Sequence, residues 1–307
     1  MHKVLIAAPC HAILKERLEK AGYTIIDFPA ISQHEFESIV VGVDGLILST
    51  RIKVTADILQ SAVNLKWIGR LGSGLELIDL KAASERGINV QSSPEGNRDA
   101  VGEHNLGLLL GLMHNITRSH LQVRGGIWIR DANRGTELGG KTVGIIGFGN
   151  TGQAFSRVLK GFNVNILAHD KYIQGFGSED VKEVTLNELL QQSDVVSLHL
   201  PLNEETLHYA NDAFFKQMKK KPFFLNTSRG KIHHTEALIQ ALKSEIITGA
   251  GLDVLENEDL GSYSEKEQEE LVFLSSHPGV LITPHIAGYS FESFFKMSAI
   301  LADKLGL

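Results

Sequence analysis

The sequence predicts an α/β protein built from two doubly wound parallel-sheet domains, and three observations lead there. Short apolar runs alternate with helical patterns along most of the chain, the signature of strands followed by crossover helices. The alternation pauses once, at a long helical pattern and the Gly-rich polar stretch after it. At 307 residues the chain suffices for two ordinary domains, each able to bury a core.

In the N-terminal third, VLIAAP leads into AILKERLEKAG, GLILS into TADILQSAV, LKWIGRLG into LIDLKAASERG, and INVQSS closes the series. The run Val4–Cys10 after Lys3 has the look of a short signal segment. Pro9 interrupts it, however, and Leu14-Lys15-Glu16-Arg17-Leu18 follows at once, so a first strand feeding an amphipathic helix is the better reading. From Asp99 to about Arg118 one continuous helical pattern is expected. Its apolar part, Leu106–Met113, falls far short of the roughly 20 residues needed to span a bilayer and reads as a buried helix. RGGIWIRDANRGTELGGK comes next, and a second series begins at Thr142 with six strands: TVGIIG, VNILAHD, DVVSLHLP, FFLNTS, TGAGLDV and VLITPH. The tail after His285, SFESFFKMSAILADKLGL, is helical and too short for a third domain, so it is expected to dock back on the first. No internal repeat or low-complexity segment interrupts this plan.

Composition excludes some functions. A net charge of −6, with 43% apolar and 21% charged residues, describes a globular protein without the basic excess that attracts nucleic acid or an anionic membrane. An anionic substrate would therefore have to be held by local arginines. The single cysteine, Cys10, forbids an intrachain disulfide and suits a reducing, cytoplasmic setting.

Gly147-Phe148-Gly149-Asn150-Thr151-Gly152 directly follows an apolar strand and opens a helical pattern. Glycines at this spacing allow a tight turn and bring backbone close to a pyrophosphate at a helix N-terminus. The next strand ends in Asp170, 18 residues after Gly152, where a carboxylate accepts ribose hydroxyls and repels a 2′-phosphate. The reading is a Rossmann dinucleotide-binding domain that takes NAD in preference to NADP. Three later strand ends carry Arg229, Glu258 and His285. Reduction of a 2-keto acid needs a cation on the carboxylate and carbonyl, an acid for the developing alkoxide, and a group that keeps that acid charged. Taken singly, each residue also has a plainer and less favoured reading: a surface arginine, a member of an acidic stretch and a turn histidine. Together, behind the fingerprint, they read as a site in the crevice at the carboxyl ends of the strands.

In this order the segments resemble the D-isomer-specific 2-hydroxyacid dehydrogenases. The likeness runs through GRLGSGLELID, AVGEHNLGLLLGL, GFGNTG, HLPLNEET, NTSRG, GLDV and TPHIAG, nearly the whole chain. It implies that Arg229 binds the substrate carboxylate and carbonyl, that His285 is the acid/base, and that Glu258 holds the imidazole and favours its protonated form. For the cofactor it implies Gly147, Gly149, Asn150, Thr151, Gly152 and Asp170, with Pro201, Thr206, Thr227, Ser228, Asp253 and Gly288, Asp253 lying on the nicotinamide side. Backbone amides around Ser73 and Gly74 would meet the substrate carboxylate. The family's fold implies a flavodoxin-like substrate domain, residues 1–97 and 287–307, completed by the C-terminal helix. Residues 98–286 would form the Rossmann domain, and the helix near residues 100–118 an arm for homodimers.

The sequence departs from the family in places. Glu76 replaces a usual aspartate, His233-His234-Thr235 replace Val-Asp-Glu, Asp259 replaces a proline, and the acidic segment YSEKEQEEL is inserted before the last strand. Adjacent histidines invite a metal reading, but their side chains diverge and no third ligand has suitable spacing, so no metal is expected. The stretch Ser49–Asp57 resembles the loop in which D-3-phosphoglycerate dehydrogenases set arginine against the substrate phosphate. Arg51 is retained there, with Ser49 at the other frequently basic position. This favours the D-3-phosphoglycerate/3-phosphohydroxypyruvate pair, a step of serine biosynthesis, with glyoxylate or hydroxypyruvate reduction as the alternative. The small regulatory domain of longer phosphoglycerate dehydrogenases, and with it control by serine, is not expected. A reading of another class is an NADH-sensing binding protein like the corepressors that share this fold.

Overall fold

A computed structural model describes residues 2–307. The chain forms two compact units: one runs to Arg98 and resumes at Tyr289–Leu307, and the other is Asp99–Gly288.

The first unit contains β1 (His2–Ile6), α1 (Ala12–Lys20), β2 (Tyr23–Asp27), α2 (Gln33–Ile39), β3 (Gly45–Leu48), α3 (Ala56–Ser61), β4 (Trp67–Arg70), α4 (Leu80–Glu85) and β5 (Asn89–Ser92). The strands form a parallel sheet in the order β2-β1-β3-β4-β5, the flavodoxin-like arrangement. Alternation along β1 explains how both faces are covered. Val4 and Ile6 pack with Leu14, Leu18 and Trp67 on one face, while Leu5 and Ala7 pack with Phe36, Leu48 and Ile58 on the other. β2 and α2 lie outside the sequence prediction. β2 is a half-exposed edge strand, and α2 is a short helix marked by a capping box between Ser32 and Glu35.

The second unit holds α5 (Pro94–Met113, beginning just before the unit), α6 (Ile116–Arg124), β6 (Thr142–Ile146), α7 (Asn150–Leu159), β7 (Asn165–His169), β8 (Val181–Glu183), α8 (Leu186–Gln192), β9 (Val195–Leu198), α9 (Asp212–Lys216), β10 (Phe223–Asn226), α10 (Thr235–Lys243), β11 (Gly249–Leu252), α11 (Glu265–Ser276) and β12 (Val280–Ile282). Its seven parallel strands run β12-β11-β10-β9-β6-β7-β8, so the order reverses between β6 and β9, the switch point at which dinucleotides bind. Six of these strands are the expected ones. The seventh, β8, has three residues, of which Val181 alone is buried, too little to mark the sequence. The helix expected over 99–118 instead starts at Pro94, which suits a first helical position, and breaks after Met113, where Asn115 takes a left-handed φ of 52°. The acidic insert is α11, opened by a capping box between Ser264 and Glu267. No helix among the described residues is long and apolar enough to cross a membrane.

The C-terminal tail is α12 (Phe291–Leu305), which packs on α1, β4 and β5 of the first unit. Ser290 and Ser293 cap its start, and Gly306 ends it with φ 73°. Leu301 and Ala302 are fully buried, and Leu301→Ala would cost about 2–5 kcal/mol, the usual range for such a cavity.

Candidate active site

Arg229, Glu258 and His285 stand in the loops after β10, β11 and β12, three neighbouring strands whose carboxyl ends share one edge of the sheet. The pair within them is direct: His285 Nδ1 lies 2.9 Å from Glu258 Oε2. A carboxylate at Nδ1 fixes the tautomer with a proton there and leaves Nε2 for the reacting atom. Both side chains are substantially exposed, so the pair can be reached from solvent. Gly230 explains how the arginine loop approaches the carboxylate loop. A Cβ on Gly230 would lie 1.7 Å from the Leu255 carbonyl oxygen, so this approach requires glycine.

His285 has a left-handed backbone, φ 56°, a conformation that costs a non-glycine residue on the order of 1–3 kcal/mol unless its surroundings hold it. Those surroundings are Asp253. Its carbonyl accepts from His285 N at 2.8 Å. Its carboxylate accepts from Ile286 N at 2.9 Å, Ala287 N at 2.7 Å and the Thr283 hydroxyl at 2.6 Å. Asp253 is 1% exposed, so the structure turns this side chain into the histidine loop.

The arginine loop is fixed from beneath by Asn226, a fully buried side chain that the sequence reading missed. Its Nδ2 donates to the Arg229 carbonyl at 3.0 Å and faces His233 Nδ1 at 2.9 Å, while its Oδ1 accepts from Ser228 N at 3.0 Å. An asparagine at a strand end reads as ordinary turn chemistry, so only the fold reveals this role. His233 is thereby a buried acceptor; burial pushes its pKa down to about 4 and keeps it neutral. His234 meets the His208 ring edge-on, and His208 bonds Glu256 at 2.6 Å. Among the described residues no three His, Cys, Asp or Glu side chains group as metal ligands.

At the switch point, Gly147 has φ 89°, and a Cβ on Gly152 would sit 2.1 Å from the Gly147 carbonyl oxygen, so turn and helix can meet only through glycine. A Cβ on Gly149, by contrast, would meet open space at the N-terminus of α7. That is the cradle a pyrophosphate fits, with Asn150 and Thr151 in the first turn. Asp170 receives the backbone N–H groups of Phe148 at 2.8 Å and of Tyr172 and Ile173 at 2.9 Å. Burial opposes its charge, but these bonds prevail and hold its carboxyl below the usual range. They use three of about four acceptor directions, which leaves room for about one ribose hydroxyl.

The remaining cofactor candidates are largely engaged with their own loops. Ser228 Oγ donates to the Leu198 carbonyl at 2.6 Å, and Thr206 Oγ1 to the Pro201 carbonyl at 2.6 Å. Thr227 Oγ1 accepts from buried Asn105 at 2.7 Å, and Asn105 Oδ1 accepts from Ser197 at 3.4 Å. Ser197 meets His199 Nε2 at 2.9 Å, and His199 Nδ1 meets Thr151 at 3.2 Å. This polar chain runs from the arginine loop to the fingerprint helix. Burial lowers the His199 pKa to about 3, so its ring is a neutral link.

Residues 106–287, wholly within the second unit, match the family described as D-isomer specific 2-hydroxyacid dehydrogenase, NAD binding domain. The D-3-phosphoglycerate dehydrogenase of Archaeoglobus fulgidus is 33% identical over 99% of this chain, which spans 56% of that protein. The hydroxypyruvate reductase of Thermotoga maritima is 35% identical over 90% of this chain and 88% of its own length. The chain belongs to the D-isomer specific 2-hydroxyacid dehydrogenases. A solved glyoxylate reductase from Paecilomyes thermophila superposes with a TM-score of 0.88 at 26% identity, covering 99% of this chain and 94% of that one.

As in its family, NAD is the cofactor for which this chain has a binding domain. In the first unit, Ser73 is exposed and Gly74 half-buried in the loop after β4. Arg70, which the sequence reading passed over, is buried at the end of that strand and donates to the Leu71 carbonyl at 2.8 Å. Arg51 is exposed after β3, its guanidinium bonded to the Pro29 carbonyl.

Proposed function

We propose that this chain transfers hydride between NAD and a D-2-hydroxy acid or its 2-keto acid, with D-3-phosphoglycerate and 3-phosphohydroxypyruvate as the favoured pair. The observation that carries the reading is the His285–Glu258 contact of 2.9 Å, on the same sheet edge as Arg229. When bound, NAD supplies or accepts the hydride. Arg229 grips the substrate carboxylate and polarises the carbonyl with its planar fork. His285 gives the proton from Nε2 to the alkoxide oxygen, or removes it in the reverse direction, while Glu258 opposes the imidazolium charge. The glycines from Gly147 to Gly152 and the first turn at Asn150 and Thr151 receive the pyrophosphate, Asp170 the ribose. Gly288 would adjoin the bound cofactor, and the Thr206 and Ser228 hydroxyls would shape the loops around it while donating to the Pro201 and Leu198 carbonyls. Ser73 and Gly74 would offer backbone amides to the carboxylate.

Arg51 favours a phosphorylated substrate, which goes with a cytosolic role in serine biosynthesis. Glyoxylate or hydroxypyruvate reduction is the second reading. It is favoured by the Pro29 bond that already engages the Arg51 guanidinium and by Ser49 at the other basic position. In either case two copies pair through the arm expected over residues 100–118, which is the body of α5 and the start of α6.

Arg51→Ala separates the two readings. Loss of a charge-assisted bond worth roughly 1.5–3 kcal/mol should lower kcat/KM for 3-phosphohydroxypyruvate on the order of 10–150-fold. Glyoxylate, which has no phosphate, should stay within about twofold. Equal losses would make Arg51 structural, and no loss with either would favour the second reading.

A further inference from the structure

The left-handed turn at His285 has a support that reaches back to α5. Thr283 has one hydroxyl proton, and it goes to Asp253 Oδ1 at 2.6 Å. The same hydroxyl lies 2.9 Å from His104 Nε2, and since its proton is committed it must accept there. His104 therefore carries its proton on Nε2 and points it at Thr283, with Asp253 Oδ1 3.6 Å away. That Oδ1 also accepts from Ile286 N, and Oδ2 from Ala287 N. The chain of contacts is continuous from His104 through Thr283 and Asp253 to the two residues after His285.

We propose that His104 is a positioning residue for proton transfer: through Thr283 and Asp253 it locks the left-handed turn that presents the His285 imidazole. The inference rests on the reading of His285 as the acid/base. Without the His104 donor, the Thr283 hydroxyl is free to turn away from Asp253. The carboxylate then loses one of its donors, and the turn at His285 relaxes toward ordinary backbone angles. The imidazole leaves its direction while the pyrophosphate cradle at the switch point, built on β6 and α7, stays as it is. Glutamine at position 104 keeps a side-chain N–H for Thr283; leucine removes it.

The test compares His104→Leu and His104→Gln in the whole protein. In the first measurement, amide exchange without substrate, His104→Leu should speed exchange at Ile286 and Ala287 about 10-fold, with the strands of the sheet unchanged. In the second, with NADH and whichever 2-keto acid the wild type reduces fastest, kcat should fall about 10- to 100-fold with the KM for NADH within about twofold. His104→Gln should recover most of both. Unchanged exchange at Ile286 and Ala287, acceleration spread over the whole unit, or a kcat loss that glutamine does not restore would each overturn the proposal. His285→Asn checks the underlying reading separately: full turnover in that variant removes the acid/base assignment, whereas the exchange result does not depend on it.

Discussion

In the seven-stranded unit the strand ends are tied by side chains that converge on the loops of Arg229 and His285, whereas in the five-stranded unit the ties are Ser93 to the Gly72 amide, Arg51 to the Pro29 carbonyl and Gln33 to the Lys53 backbone. After β10, Asn226 and Ser228 tie the arginine loop to β9 and His233; after β11, Asp253 clamps the histidine loop; at β7, Asp170 holds the glycine turn. After β3 and β4, Arg51 and Ser73 are exposed on loops. Hydride and proton transfer tolerate little displacement of the reacting groups, so the chemistry belongs on a fixed edge. Substrate choice can be revised by changing exposed loop residues. The family match falls on the seven-stranded unit, and the relatives differ in the acid their names give, 3-phosphoglycerate in one and hydroxypyruvate in another.

Damage at the edge that carries Arg229 and His285 should stop turnover whatever the substrate. The largest effect is expected from His285→Asn, with kcat lower by roughly 10²–10⁴-fold for every 2-keto acid tested and NADH affinity nearly unchanged. A loss confined to one substrate would move His285 from chemistry to recognition. Arg229→Lys comes next. Lysine cannot present the two-pronged grip on a carboxylate, so kcat/KM should fall at least about 10-fold, roughly 1.4 kcal/mol of transition-state binding. Near-wild-type kinetics would mean another arginine holds the substrate.

The smallest effect is expected at Asp170. Asp170→Ala should weaken NADH several-fold and narrow the preference over NADPH. It should also destabilise the fold near neutral pH, because the folded carboxyl titrates below its ordinary value. That stabilisation is present above the unfolded pKa of about 3.9 and is lost as pH falls through the folded value. The urea-midpoint gap between wild type and variant should therefore shrink below about pH 4. A gap independent of pH would place the support elsewhere than in the carboxylate's charge.

Much of this molecule is visible in the sequence where burial leaves a pattern. Strands buried on both faces stand out as apolar runs, and the glycine turn stands out because its spacing is dictated by backbone contact. β2 and β8 do not, since an edge strand needs few buried side chains. Glu258 and His285 could be named from their positions, but not the hand of the backbone at His285. For Asp253 the family resemblance implies the nicotinamide side of the cofactor, whereas the structure turns its carboxylate toward the backbone amides of Ile286 and Ala287. The adjacent histidines show the limit best: as residue types they suggest a ligand pair, and only the burial of His233 against Asn226 makes one of them a support of the arginine loop.

NADH oxidation is the direct test of whether a 2-keto acid is reduced at the His285 site. Glyoxylate, hydroxypyruvate, pyruvate and 3-phosphohydroxypyruvate would each be supplied to the wild-type protein. NADH consumption with at least one of them, stoichiometric with the D-2-hydroxy acid formed, is the expected result. Tight NADH binding without turnover of any 2-keto acid would contradict it and leave a cofactor-sensing protein in its place.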